Sequence, residues 1–187
     1  MKKILFVMLL WAFVHSSSAQ FLKKGSLIGG GNFEFQTSKY QNSNSKGYSF
    51  SLMPWAGYSV INNLVVGIDL ELGYSGLQSS TASYKSSSNS LLIGPIVRYY
   101  LKQGVFFHGQ NNFGTTNVTT DFDGSESTQK INSSYSRFGI GYAARISDTV
   151  LFEPFMGYYH QFNEDPIGDS GGFFIMGGFT IILKSVP

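Results

Sequence analysis

The 187-residue sequence contains no cysteine. That excludes a disulfide framework, thiolate chemistry and a lipid-modified cysteine anchor. Charge is scarce too: Asp, Glu, Lys and Arg make up 13% of the chain, against roughly 25% in soluble domains. The formal excess is only +2 and rests on Lys2 and Lys3, so the remainder is balanced and carries no basic footprint for nucleic acid. Long apolar runs are also missing. The longest, Ile4–Val14, has 11 residues, whereas a membrane-spanning helix needs about 20.

That run has another use. It follows Lys2 and Lys3 and precedes the small residues Ser17, Ser18 and Ala19, the arrangement of a cleaved secretory signal peptide. Residues 1–19 are expected to be the leader, and 20–187 a single mature domain. Over the whole chain aromatics are abundant (11 Tyr and 17 Phe, 16% aromatic) while the mean hydropathy is only −0.01. Few charges, many aromatics and moderate hydropathy fit a barrel that meets lipid with one face only.

The residues alternate accordingly. In Leu64, Val66, Ile68, Leu70, Leu72 and Tyr74 every second side chain is large and apolar, and Val65, Gly67, Asp69, Glu71, Gly73 and Ser75 lie between. Period two places the two sets on opposite faces of a strand. The spacing predicts eight strands: Gly25–Thr37, Gly47–Ser59, Leu64–Gly76, Asn89–Leu101, Val105–Val118, Ser134–Ile146, Val150–Phe162 and Gly171–Leu183. Long polar connections (38–46, 77–88, 119–133, 163–170) alternate with tight turns (60–63, 102–104, 147–149). Long loops on one rim and short turns on the other is the outer-membrane pattern, with the turns in the periplasm. The expected fold is all-β: a closed, eight-stranded, antiparallel up-and-down transmembrane β-barrel behind a signal peptide. A lipocalin-like soluble barrel, with apolar residues inside, is the alternative. Pro54, Pro95 and Pro154 fall inside strands, where bulges or missing ladder bonds are expected. Val105–Val118 is the least regular strand, with Asn111 facing lipid.

The stretches SLMPWAGYSVINNLVVGIDLELGYSG, SLLIGPIVRYYL and YAARISDTVLFEPFMGYYH carry a family resemblance. They resemble the small outer membrane β-barrel proteins of Bacteroidetes-type bacteria, a porin-family group distantly related to the OmpA transmembrane and OmpX barrels. The resemblance implies an eight-stranded barrel in the cell outer membrane. It brings no shared catalytic residues.

The same alternation turns Glu34, Asp69, Glu71, Arg98, His108, Arg137, Arg145 and Glu153 into the lumen. Arg98, His108 and Glu153 are each expected roughly 10 Å up their strands from a periplasmic turn. An eight-stranded barrel is just wide enough for side chains to fill. The plain reading is therefore a paired, hydrogen-bonded plug, and the sharper one a narrow gated channel. A lipid A-modifying enzyme would need a Ser–His–acid set facing lipid. His160 with Ser136 or Ser134 and Glu164 is the only set to weigh, with no oxyanion hole specified. Asp121, Asp123, Gly124 and Glu126, with Asp165 and Asp169, look like a fragment of a calcium loop but lack its spacing. Gly29–Gly31 and Gly177–Gly178 precede no helix, so they are not a phosphate loop. Asn117 and Asn132 match a glycosylation pattern that carries no weight in a bacterial protein. No enzyme activity, cofactor or metal is expected. The expected role is structural or surface interaction, through polar outer loops whose extracellular ligand the sequence does not name. The expected partners are outer membrane lipids, lipopolysaccharide and the barrel-insertion machinery.

Overall fold

The computed structural model describes residues 22–40, 45–79, 84–163 and 170–184. The leader expected over 1–19, and the loop residues Glu164, Asp165 and Asp169, lie outside the described residues. Alternation dictates the rest. Strands β1 (Leu27–Tyr40), β2 (Ser45–Ile61), β3 (Leu64–Ser79), β4 (Tyr84–Tyr100), β5 (Val105–Phe122) and β6 (Ser125–Tyr142) are followed by the short β7 (Ala144–Arg145) and β8 (Val150–Phe152). Strands β9 (Phe155–Asn163) and β10 (Ser170–Lys184) complete the wall. β8 and β9 form one stave interrupted at Glu153–Pro154, and β6 and β7 one interrupted at Ala143, so the antiparallel ring has eight staves. It closes by pairing β1 with β10.

Closure is staggered. Followed around the wall, the row from Ile28 passes Gly57, Gly67, Ile96, Gln110, Arg137 and Tyr159 and reaches β10 at Gly172, whereas Ile28 itself pairs with Ile182, ten residues away. Such a stagger tilts the staves by about 35–45°. Residues that share a row therefore climb steadily toward the long-strand rim, and side chains from non-adjacent strands meet inside.

The outer surface carries the apolar set. Ile68 is 60% exposed, Phe138 65% and Ile175 77%, in a band that water would not tolerate. Tyr48 and Tyr74 meet near its upper edge, ring centroids 6.0 Å apart, and Tyr58 and Tyr99 lie near its lower one. A lipocalin-like inversion is ruled out, since Asp69 is buried and Ile68 outward. No helix of the described residues is long and apolar enough to cross a membrane; the crossing is made by strands.

One expectation is made specific and another changes. Pro54 and Pro95 break the ladder on one side only, between Leu52 and Trp55 toward β3 and between Ile93 and Ile96 toward β5, without shifting register. They cause gaps and no bulge. Residues 119–133 are not a loop: β5 and β6 pair without a break up to Phe122–Ser125. The turn is Asp123-Gly124, both at positive φ (50° and 82°), the backbone that an Asp-Gly hairpin favours. Outside the membrane a strand needs no apolar face, so Ser- and Thr-rich sequence there reads as loop.

Candidate functional site: a layered barrel interior

The lumen has three layers. At the periplasmic end Met53, Val65, Ile96, Tyr100, Phe106, Leu151 and Phe155 form a buried apolar floor. Leu22 joins it from outside the wall. Its backbone is tied to the first turn, Leu22 N–H donating to Asn63 Oδ1 (3.1 Å) and Asn63 N–H to Leu22 O (3.0 Å). These inward positions interrupt the polar half of the alternation near the short turns, a signal in the sequence for an apolar floor beneath the charged residues.

Above the floor sits Arg98, fully buried. Pro154 ends the regular strand, yet Glu153 stays bonded to Gly178 in both directions (2.8 and 3.2 Å), which aims its side chain inward. Arg98 Nη1 pairs with Glu153 Oε2. The same carboxylate accepts from Tyr100 Oη (2.9 Å) and Thr180 Oγ1 (2.6 Å). The Arg98 guanidinium lies 4.4 Å from the Trp55 ring and 5.3 Å from Phe106, a cation–π seat. Its Nη2 donates to Asn32 Oδ1 (3.3 Å), and its Nε donates to His108 Nδ1 (3.1 Å). Since the arginine can only donate, Nδ1 must accept. The imidazole is then neutral and gives its Nε2 proton to Gln110 Oε1 (3.0 Å).

Gln110 passes the chain upward. Its amide donates to Asp69 Oδ1 (2.8 Å), as does Asn112 Nδ2 (2.6 Å), which also reaches Glu71 Oε2 (3.5 Å). Arg137 then clamps Glu71 with both terminal nitrogens (2.6 and 2.8 Å). One unbroken side-chain network thus joins two ion pairs. The stagger brings Arg137 of β6 to Glu71 of β3, 66 residues away. Among the described residues no basic side chain pairs with Asp69, whose Oδ2 has no hydrogen-bond partner. Asn32 Nδ2, Trp55 Nε1 and Asn112 Oδ1 also lack one.

The third layer is a cup of about 180 Å³ above the Arg137–Glu71 pair, lined by Glu34, Gln36, Ser49, Ser51, Tyr135 and Tyr159 among others. Glu34 takes its hydrogen bond from the Gln36 amide (2.6 Å). Of the eight residues expected inside, seven line the lumen and six share the network, with Glu34 in the cup. Arg145 is the exception. It is exposed and pairs with Leu151 in the short β7–β8 ladder. Its parity is right, but the stave has run past the lower edge of the lumen there.

Outside the wall, Asn111, Ser136 and His160 are register partners on three neighbouring staves. Asn111 Nδ2 donates to Ser136 Oγ (3.0 Å), while Asn111 Oδ1 is buried without a partner. His160 lies edge-on to Phe162 (4.4 Å), and among the described residues no hydrogen bond joins it to Ser136 or Ser134. At the hairpin tip Asp121 accepts from Gly124 N–H (3.0 Å). Among the described residues no group of three or more His, Asp or Glu could hold a metal.

A filled lumen inside an apolar-skinned, eight-stave ring defines a transmembrane β-barrel of the small outer-membrane type. Solved structures share the fold. Neisserial surface protein A aligns with a TM-score of 0.50 at 17% identity, covering 86% of this chain and 98% of that one. The attachment invasion locus protein of Yersinia pestis, in complex with the heparin analogue sucrose octasulfate, aligns at 0.51 and 14%, covering 86% and 100%. The translocator domain of the Neisseria meningitidis autotransporter NalP aligns at 0.53 and 7%, covering 96% and 94%. No protein-family model and no curated protein sequence matches the chain.

Proposed function

We propose that this is an outer-membrane surface protein of a Bacteroidetes-type bacterium whose working part is the rim formed by its long strands. One observation carries the reading: the wall from β2 to β6 continues well past the apolar belt as a polar sheet. Its uppermost rows pair Ser86–Thr120 and Ser87–Thr119 between β4 and β5, and Thr119–Thr128 between β5 and β6, the last joined by a hydroxyl hydrogen bond (3.1 Å). Its tallest part is the hairpin of β5 and β6, paired from Val105–Tyr142 up to Phe122–Ser125, which projects a polar surface of the kind that meets an external partner. The attachment protein among the solved structures fits this reading.

A channel is disfavoured by the apolar floor and the Arg98–Glu153 layer, which close the periplasmic half. No catalytic role is proposed for the Asn111–Ser136–His160 row. Lipopolysaccharide is the expected lipid neighbour. Lys46, Lys85 and Lys130 are exposed on the long-strand half of the wall, where they can meet its phosphates.

The test is to replace residues 119–128 with a two-residue turn and compare adhesion of cells displaying each form to protein-coated surfaces. Lost adhesion with an intact, heat-modifiable barrel supports the reading. Unchanged adhesion overturns it.

A further inference from the structure

The cup above Arg137 is blind: the Arg137–Glu71 clamp, the network and the apolar floor lie beneath it, so it opens only at the long-strand rim. Its charge is not balanced. Both terminal nitrogens of Arg137 are committed to Glu71, which makes that pair neutral toward anything entering. Glu34 is different. Its half-exposed carboxylate receives only the Gln36 amide, and no basic side chain among the described residues forms an ion pair with it. Just below, Asp69 adds a second negative charge without a basic partner.

We propose that this cup binds a small hydroxylated amine in its protonated form, with the ammonium on Glu34. Walls of low dielectric strengthen an uncompensated carboxylate and concentrate cations near it. The remaining lining suits the rest of such a ligand. Ser49, Ser51, Ser90 and Gln161 offer hydroxyl and amide groups that both donate and accept. The Tyr159 ring supplies an aromatic wall for an alkylammonium or sugar face. An anion would meet Glu34 and a neutralised arginine, and is excluded. A neutral polyol would satisfy the hydroxyls but leave the carboxylate as it is. The volume of about 180 Å³ admits a single ring and no oligomer. The site does not involve residues 119–128, so it stands or falls separately from adhesion.

Three sugars of one ring size isolate the charge: glucosamine, glucose and glucuronate. The full protein, refolded in lipid nanodiscs, is probed with each by saturation-transfer NMR and titration. Glucosamine is expected to bind at least tenfold more tightly than glucose, glucuronate not to bind, and Glu34→Gln to abolish the difference between glucosamine and glucose. A second variant, Ser51→Phe, fills the cup while keeping Glu34 and is expected to remove binding of both. The heat-modifiable gel shift verifies that each variant is folded. Equal binding of the three sugars, no binding of glucosamine, or glucosamine binding that survives Glu34→Gln would each overturn the proposal.

Discussion

Arg98 and Glu153 form an ion pair from which solvent is wholly excluded, both side chains being 0% exposed, although they lie on different staves 55 residues apart. The pair is boxed in by Trp55, Phe106 and Phe155. Buried pairs of this kind are costly to break and far less costly to replace.

Removing one partner is therefore expected to be severe. Arg98→Ala strands the Glu153 carboxylate beside Tyr100 and Thr180, and should lower unfolding stability by about 3–5 kcal/mol. The double variant Arg98→Met with Glu153→Leu should recover part of that loss, since it removes the stranded charge, while Tyr100, Thr180, Asn32 and His108 each still lose a hydrogen-bond partner. Urea unfolding in lipid vesicles measures both. In planar bilayers the wild type should stay silent, because the floor beneath the pair is closed. A conducting wild type would mean that the floor opens.

A tighter constraint sits where Pro95 interrupts the β4–β5 ladder. A Cβ on Gly94 would lie 1.8 Å from the Asn111 carbonyl oxygen, and backbone cannot retreat as a side-chain end can. Gly94→Ala should cost at least about 1–3 kcal/mol, as overpacking does, and slow insertion. Gly109→Ala is the control, because its Cβ would meet Phe138 at an ordinary 3.8 Å. The unfolding midpoint should fall for the first variant and hold for the second.

Much of this was legible from the chain, and the misses share a cause. Period two identifies the staves wherever one face meets lipid, so Ile68 out and Asp69 in follow directly. It also puts Arg98 beside His108, because they are register partners on consecutive strands. It cannot show that Arg137 meets Glu71, since that contact depends on the stagger of closure. Period two disappears where lipid ends: 119–133 looks like loop because neither face needs to be apolar. Arg145 has an inward parity, yet no lumen remains at its height. The floor was overlooked because Trp55, Tyr100 and Phe106 are apolar on the face assigned to polar residues.

The lipid face holds one polar contradiction. Asn111, the register partner of Ser136 on the outer face, has its Oδ1 buried and unpartnered, and a desolvated, unpaired acceptor costs about 1–3 kcal/mol. Asn111→Leu should accordingly raise the unfolding midpoint in vesicles, the opposite of the usual effect of a point change. The Ser136 hydroxyl loses a donor but can turn toward its own strand. A lowered midpoint would show that Asn111 meets something within the membrane that stabilises the barrel.

At the other end of the molecule the hairpin tip isolates backbone strain from packing. Gly124 adopts φ +82°, and a Cβ there would touch nothing within 4 Å, so Gly124→Ala tests conformation alone. A left-handed residue other than glycine costs about 1–2 kcal/mol, and only the hairpin should feel it. Among the described residues the tip joins the barrel through the β4–β5 and β5–β6 ladders, so it can fray without disturbing the closed ring. Amide exchange should quicken over 119–128 while the unfolding midpoint and the heat-modifiable gel shift stay where they are. If the midpoint fell as well, the polar sheet would belong to the same cooperative unit as the membrane-embedded wall, and shortening it would no longer be a clean test of adhesion.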